Sequence, residues 1–422
     1  MHRVVVTGMG IVTSLGLDLA TAWRRLAAGE NGISRITGFD ASEYSCKVAG
    51  EIPPFELRQT GLESIPARYC RRDVHVFLKA VDEAYSDSGL ADSDVSPRRV
   101  GVVAGASVNY VQTGMLRHYY RFRRSDAPFL DLERFGREGS QPERSFFLRM
   151  GDLMAAVPAK VLGLAGPNSS VDTACAASAH AVGEAFRLIQ RGRAVAMVAG
   201  GAAALVRPLG ILAFAVLGAL SKNPDPNQAS RPFDRKRDGF VMGEGAGAVV
   251  LERWDHARRR RARVYGELVG FGSTVNAYNL TDPSPDGICE ASAMDQALRE
   301  ARMDPECIDY IAAHGTSTAK NDEMETTAIK KVFGRHAKRL MVSSNKGQIG
   351  HTISAAGVCN LIFTLKAASE GFVPPTLHYA NPDPACDLDY VPNQGRGAKI
   401  RAALVNAFAF GGQNAVLAVR KW

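Results

Sequence analysis

A chain of 422 residues is long for one simple core, so two similar-sized halves sharing an interface are the first expectation. Apolar residues at 46% and charged residues at 22% give an ordinary soluble, globular balance. The formal charge of +8, from 51 Lys and Arg against 43 Asp and Glu, favours an anionic partner. Nucleic acid is disfavoured as that partner, because no basic stretch comes with a nucleic-acid-binding motif. Cys46, Cys70, Cys175, Cys289, Cys307, Cys359 and Cys386 are odd in number and form no C-x-x-C pair. That excludes a disulfide framework and a zinc site, and points to a reducing cytoplasm.

In chain order, the N-terminus runs without a signal-peptide layout into Val4-Val5-Val6-Thr7, a buried strand expected to end in a turn at Gly8-Met9-Gly10. A helix over Leu19–Ala28 follows, with Asp18 as N-cap and Trp23, Leu26 and Ala27 facing inward. Further helices are expected at Phe77–Asp87 and Ala176–Gln190, and strands at Val102–Ala104, Ala196–Ala199 and Ala248–Leu251. The apolar run Ala194–Leu220 is interrupted by Gly200-Gly201 and Arg207-Pro208. It reads as two short buried elements rather than a membrane span. Strands at Val264–Val269, Tyr310–Ala313, Ala403–Val405 and Ala415–Val419 then alternate with helices at Ala291–Ala301, Glu323–Phe333 and Ala355–Ala368. Apolar strands alternating with helices imply a layered α/β fold. The similar order in both halves suggests an internal duplication divided near Arg253–Arg263, into residues 1–255 and 256–422. Leu116–Arg149, rich in Arg and aromatics, breaks the rhythm as a long excursion, either functional or a solvated or subunit-facing segment. Arg258-Arg259-Arg260-Arg261 reads as a solvated helix face.

Chemistry concentrates in three places. In Val171-Asp172-Thr173-Ala174-Cys175-Ala176, a short strand ends in small residues and a helix starts at or after the thiol. The helix dipole is expected to lower the pKa of Cys175, and N–H groups of such a turn can hold an oxyanion. A lone buried cysteine is more often an inert small hydrophobe. His314, in His314-Gly315-Thr316-Ser317-Thr318, closes an apolar strand, and His351, in Lys346-Gly347-Gln348-Ile349-Gly350-His351, precedes a helix. Both lie where sites form in open α/β sheets. His2, His75, His118, His180, His256, His336 and His378 have no comparable setting. Phe408-Ala409-Phe410-Gly411-Gly412 puts two aromatics beside a glycine turn. Arg237–Gly247 is a second glycine-rich hinge; its glycines precede a strand, so it is not a phosphate-cradling loop.

Thr173-Ala174-Cys175, His314 through Thr318, Lys346 through His351 and Asn406 through Asn414, in this order, resemble the β-ketoacyl-acyl-carrier-protein synthases. The match is closest to the elongating, synthase II-like ketosynthases of type II fatty-acid and polyketide systems. It runs nearly end to end, from Val5-Val6-Thr7-Gly8 through Ser230-Arg231-Pro232-Phe233-Asp234 to the last strand. The resemblance implies a thiolase fold, two duplicated α/β halves forming a five-layered α-β-α-β-α core, usually dimerised. It implies a decarboxylative Claisen condensation in which Cys175 takes the acyl chain and His314 and His351 promote decarboxylation of malonyl-carrier protein. The N–H groups of Cys175 and Phe410 would form an oxyanion hole, with Phe410 also the gating aromatic. Lys346 and Glu325 would orient the site as a buried ion pair. Thr316 and Thr318 would bind the pantetheine arm, and Val108 and Phe408 would shape the acyl pocket. No cofactor is bound by the enzyme itself, the phosphopantetheine being carried by the acyl carrier protein. Arg68, Arg71 and Arg72 are expected to meet that acidic carrier, and a homodimer or a heterodimer with a chain-length-factor-like subunit is expected.

The chain departs from the family pattern at several positions. Ala409 replaces the usual glycine between the phenylalanines, Gln413 stands where threonine is common, and Ser354 replaces a glycine. Asn345 through Ile349 is closer to polyketide-type ketosynthases. A non-catalytic chain-length-factor subunit would have lost the cysteine, and a degradative thiolase would carry a second catalytic cysteine in place of one histidine. A cysteine hydrolase fits the Lys346 and double-histidine pattern poorly.

Overall fold

The computed structural model describes residues 1–56, 70–106, 113–126, 129–139 and 150–422. Among these, ten strands form one continuous ladder: β1 (Val4–Thr13), β2 (Val100–Gly105), β3 (Asn168–Val171), β4 (Ala196–Ala203), β5 (Gly245–Arg253), β6 (Gly266–Val275), β7 (Tyr310–Ala312), β8 (Met341–Ser343), β9 (Ala402–Phe408) and β10 (Gln413–Lys421). The halves meet where Val4–Val6 of β1 pairs with Gly266–Leu268 of β6. Outward from that seam the orders are β1-β5-β4-β2-β3 and β6-β10-β9-β7-β8, so the second repeats the first. The directions repeat too. In each half two antiparallel pairings lead outward to two parallel ones.

Helices α1 (Leu19–Ala27), α2 (Arg72–Ser88), α3 (Ala177–Gln190), α4 (Pro208–Val216), α5 (Ile288–Ala301), α6 (Ala319–Phe333) and α7 (Ala356–Glu370) cover the strands. Helix α2 lies on β1 and β5, α5 lies on β6 and β10, and α3 and α7 pack against each other between the two halves of the ladder. Three apolar clusters follow: one under α2, one under α5 and α6, and the largest around α3 and α7. These are the five layers the resemblance implied. Asp18 caps α1, accepting from the Thr21 N–H at 2.8 Å, and Trp23 and Leu26 are buried below it.

Gly8-Met9-Gly10 is not a turn. Strand β1 continues through it to Thr13, with a register shift between Val6 and Gly8. The glycines are there for close packing, since a Cβ at Gly8 or Gly10 would sit 2.1 Å from the carbonyl oxygens of Ala84 and Ala80 in α2. The second half reuses the device: a Cβ at Gly270 or Gly272 would lie 2.1 and 1.9 Å from the carbonyls of Ala297 and Ala293 in α5. Two glycines two positions apart on a strand, facing alanines four apart on a helix, are a sequence trace of the duplication. Gly10→Val is expected to force α2 off the sheet and cost at least about 1–3 kcal/mol, read from urea unfolding midpoints.

Ala194–Leu220 forms β4 and α4, but only β4 is fully buried. Helix α4 keeps Gly210, Ile211 and Phe214 inside and exposes Leu212 and Val216, with Leu217 exposed just beyond it. Arg260 is not merely solvated, because it makes a two-bond ion pair at 2.6 and 2.8 Å with the fully buried Glu252. The short strand expected before Cys175 runs over Asn168–Val171 and is polar at the sheet edge, whereas the three-residue strand Met341–Ser343 was not expected from the sequence. No helix among the described residues is long and apolar enough to cross a membrane.

Candidate active site

The parallel strands deliver their C-terminal ends to one region, and three connections there carry the reactive side chains. After β3 the chain makes a 3-10 turn over Ala174–Ala176 before α3 begins. Ala174 holds φ at 46°, a left-handed conformation that costs a residue with a Cβ and is typical of positions that aim a functional neighbour. Cys175, next in the chain, is 5% exposed.

His314 follows β7 in a turn held from both sides. The Glu325 carboxylate of α6 accepts the backbone N–H groups of His314 and Gly315, each at 2.8 Å, and the Asn406 side-chain amide at 3.0 Å. Opposite, the Lys346 ammonium donates to the His314 carbonyl, and Ser344 Oγ donates to the Gly315 carbonyl at 2.7 Å. Lys346 and Glu325 are both buried but do not pair directly; they grip opposite faces of the same turn. The ion pair expected from the resemblance is therefore replaced by two sets of contacts with the backbone, because the His314-Gly315 peptide lies between the charges.

His351 is clamped by the glycine-rich segment before β5. Its N–H donates to the Val241 carbonyl at 2.7 Å, and its carbonyl accepts the Gly243 N–H at 2.9 Å. A Cβ at Gly243 would come within 2.4 Å of the Ile349 carbonyl, so the glycine permits this approach. The Ile353 N–H donates to His351 Nδ1 at 3.2 Å, which leaves the ring proton on Nε2. The two imidazoles stand edge to face, with centroids 5.3 Å apart at 81°. Phe240 flanks His351 at 5.1 Å, and Phe408 flanks His314 at 5.9 Å.

A cavity of about 380 Å³ joins these parts, lined by Cys175, His314, His351, Thr316, Thr318, Phe408 and Phe410 among others. Cys175 is the one cysteine among the described residues on its wall. The Thr316 and Thr318 hydroxyls bond to each other at 2.9 Å. Phe410 is partly buried and stacks on Phe214 of α4, with centroids 6.4 Å apart.

Electrostatics correct one expectation. Burial pushes the Cys175 thiol up to about 11, outweighing the Lys346 ammonium and the N–H groups of Phe410 and Cys175, which act to lower it. The dipole argument from sequence ignored desolvation, which is the larger effect here. Burial also brings Lys346 down to about 8, against the pull of Glu325. Both imidazoles are held well below the ordinary value by burial, with the Lys346 ammonium adding repulsion. They are therefore neutral near pH 7. An unfolded chain would take up protons near pH 6.5 while the folded one would not, so stability falls as pH drops below that value. The expected slope is about 1.4 kcal/mol per pH unit for each imidazole. Urea unfolding at pH 7, 6 and 5 checks this, and His351→Asn should remove one imidazole's share of the slope.

The basic residues fare differently. Arg71 is 8% exposed and bonds to Asp73 through two contacts of 2.9 and 3.0 Å, so it is folded into the chain rather than offered to a partner. Arg72 pairs with the buried Glu244 at 2.9 Å but keeps about half of its side chain (49%) exposed. Arg68 and Val108 lie outside the described residues, as do parts of the Leu116–Arg149 excursion. The described part of that excursion has helices at Thr113–Tyr120 and Leu132–Glu138, with Tyr120, Phe129 and Leu132 exposed.

Sequence reasoning missed Asp322, which is fully buried and accepts the N–H groups of Phe233, Thr316 and Ser317 at 2.7, 3.0 and 3.2 Å. It fixes the backbone that presents Thr316. Its signal was available, since Asp322 and Glu325 lie three apart on α6 and share the face that carries Ala328 and Ile329 into the core. Asn406 was missed for a different reason: only the packing of β9 against α6 shows that it reaches Glu325.

Comparison with known proteins agrees with the geometry. The beta-ketoacyl synthase N-terminal domain family matches residues 1–257, and the beta-ketoacyl synthase C-terminal domain family matches residues 265–380. The chain is 41% identical over 423 residues to a 3-oxoacyl-[acyl-carrier-protein] synthase 2 of Synechocystis sp., covering 100% of this chain and 98% of that one. It superposes with a TM-score of 0.88 on a type II polyketide ketosynthase solved in complex with its acyl-carrier protein and bound to a hexaketide, at 34% identity and 100% coverage of both chains. The ishigamide ketosynthase/chain length factor gives a TM-score of 0.86 at 31% identity, covering 100% of this chain and 99% of that one. With this fold, these matches along its length and one cavity joining a thiol to two imidazoles, the chain belongs to the β-ketoacyl synthase family.

Proposed function

We propose that the chain lengthens an acyl chain by decarboxylative Claisen condensation, as an elongating ketosynthase of a type II polyketide or fatty-acid system. The observation that carries the reading is the single cavity in which Cys175 lies with two neutral imidazoles. The Cys175 sulfur attacks the thioester of an acyl-carrier protein; its proton ends on the departing pantetheine sulfur, and the acyl group stays on Cys175. Malonyl-carrier protein enters next, and its thioester oxygen accepts hydrogen bonds from Nε2–H of His314 and His351. Carbon dioxide leaves, and the electron pair of the broken C–C bond becomes the enolate those bonds stabilise. Neutral imidazoles suit this task, since they donate without having to lose a proton first. The enolate carbon then attacks the acyl carbonyl. The N–H groups of Cys175 and Phe410 hold the resulting oxyanion until it collapses, the C–S bond breaks and Cys175 departs as a thiolate that takes a proton from solvent water, leaving 3-ketoacyl-carrier protein.

Lys346 and Glu325 act by holding the His314 turn, Thr316 and Thr318 face the incoming pantetheine arm, and Phe408 lines the acyl path. The phosphopantetheine arrives on the carrier, so the proposed steps call on no cofactor resident in this chain. Of the three arginines expected to meet an acidic carrier, Arg72, with about half of its side chain exposed, is the one that the described residues leave suited to it. A homodimer, or a heterodimer with a chain-length-factor-like subunit, and a cytoplasmic location complete the reading. Retention of Cys175 weighs against a non-catalytic subunit, and a second imidazole in place of a second cysteine weighs against a degradative thiolase.

The test is intact-mass analysis with acyl- and malonyl-carrier proteins, together with carbon dioxide release. The wild type should gain one acyl group on Cys175 and form 3-ketoacyl product, and Cys175→Ala should gain none. An adduct that persists in Cys175→Ala would sink the assignment. Varying chain length and unsaturation in the same assay separates fatty-acid from polyketide substrates.

A further inference from the structure

Glu290 is an acid in the first turn of α5, yet it is 1% exposed and lines the same cavity as Cys175. Its Oε1 accepts the Asn276 side-chain amide at 3.0 Å, while Oε2 is buried without a hydrogen-bond partner. A carboxyl kept there for packing alone would be replaced to advantage by an apolar side chain, since burying a half-satisfied acid is unfavourable. Its neighbours show what it holds. The Asn276 N–H donates to the Gly412 carbonyl at 2.9 Å, and the Gly411 N–H donates to Leu280 of the same connection at 2.8 Å. Asn276 Oδ1 lies so close under Gly412 that a Cβ there would be 1.9 Å away. Gly411 and Gly412 have φ of 83° and 77°, a left-handed pair whose freedom calls for an outside hold. The N–H of Phe410, carried by this turn, acts on the Cys175 thiol.

We propose that Glu290 is a positioning residue for this turn: through the side-chain amide of Asn276 it fixes residues 409–412 and keeps the Phe410 N–H beside Cys175. The inference rests on the oxyanion role given above to that N–H, and deepens it. Two measurements on the full-length protein test it. Hydrogen exchange of the peptide spanning residues 409–414 should speed up at least tenfold in Glu290→Ala, with the β9 peptide unchanged, and return to wild-type rates in Glu290→Gln, whose amide oxygen still accepts from Asn276. The single-turnover rate of Cys175 acylation should fall about tenfold at saturating carrier in Glu290→Ala, with the carrier KM within twofold and the rate restored in Glu290→Gln. Unchanged exchange in the turn, or a Gln variant as impaired as the Ala variant, overturns the proposal. A wild type that takes up no acyl chain, with the exchange pattern as expected, overturns the catalytic reading and leaves the hold on the turn supported.

Discussion

His314→Ala and His351→Ala are expected to separate the two halves of the reaction. Each variant should still acylate Cys175, because the thiol, its turn and the Phe410 N–H remain in place. Carbon dioxide release from malonyl-carrier protein should fall by roughly 10²–10⁴-fold, the usual worth of a positioned donor at a developing charge. The losses should not add in the double variant, since both imidazoles serve one oxygen. His351 offers the cleaner test, because the Ile353 N–H fixes its tautomer and Asn at this position presents a donor without an ionisable ring. His351→Asn should keep more activity than His351→Ala, read as labelled carbon dioxide released per acylated enzyme. Equal loss of acylation in the alanine variants would show that the imidazoles act on the first step instead.

Glu325→Ala is expected to do the largest structural damage of any single change in the site. It strips three donors of their acceptor at once, the N–H groups of His314 and Gly315 and the Asn406 amide, in a place water does not reach. It also leaves the buried Lys346 ammonium without the carboxylate that favours its charge. Removing one member of a buried charged set costs about 3–5 kcal/mol, so the unfolding midpoint should drop sharply. Glu325→Gln should recover part of that loss, because one amide oxygen replaces two carboxylate oxygens. Lys346→Met is expected to be milder for stability, since it removes a charge whose burial is itself unfavourable, but to loosen the His314 carbonyl. Urea denaturation of the three variants, set beside their carbon dioxide release, checks this order.

The main elements of the site were legible because the chemistry is local. Cys175 between small residues, His314 before Gly-Thr-Ser-Thr and His351 after Lys-Gly-Gln-Ile-Gly are each a strand end or turn whose composition dictates its backbone. Helices α2, α3, α5, α6 and α7 were legible from their apolar faces and α1 from its cap, while α4 read only as a short buried element. Gly8 and Gly10 were misread because a glycine that makes room for a helix and a glycine that makes a turn look alike in sequence. Asn406 stood in a recognised motif, but nothing local tied it to Glu325, a carboxylate 81 positions away. The thiol's pKa was misjudged for a related reason. A dipole follows from local sequence, but desolvation depends on everything packed around the sulfur.

Sequence by itself determined the reacting groups, the alternation of strands and helices, and therefore the family. Backbone preference, periodicity and motif spacing are properties of short segments, and short segments carry them intact. Only the tertiary structure decided that three connections from two halves of the chain share one cavity. It also decided that Glu325 and Lys346 grip a peptide rather than each other, and that Arg71 is spent on Asp73. Those outcomes depend on distances between residues far apart in the chain, and such distances are set by how the layers pack.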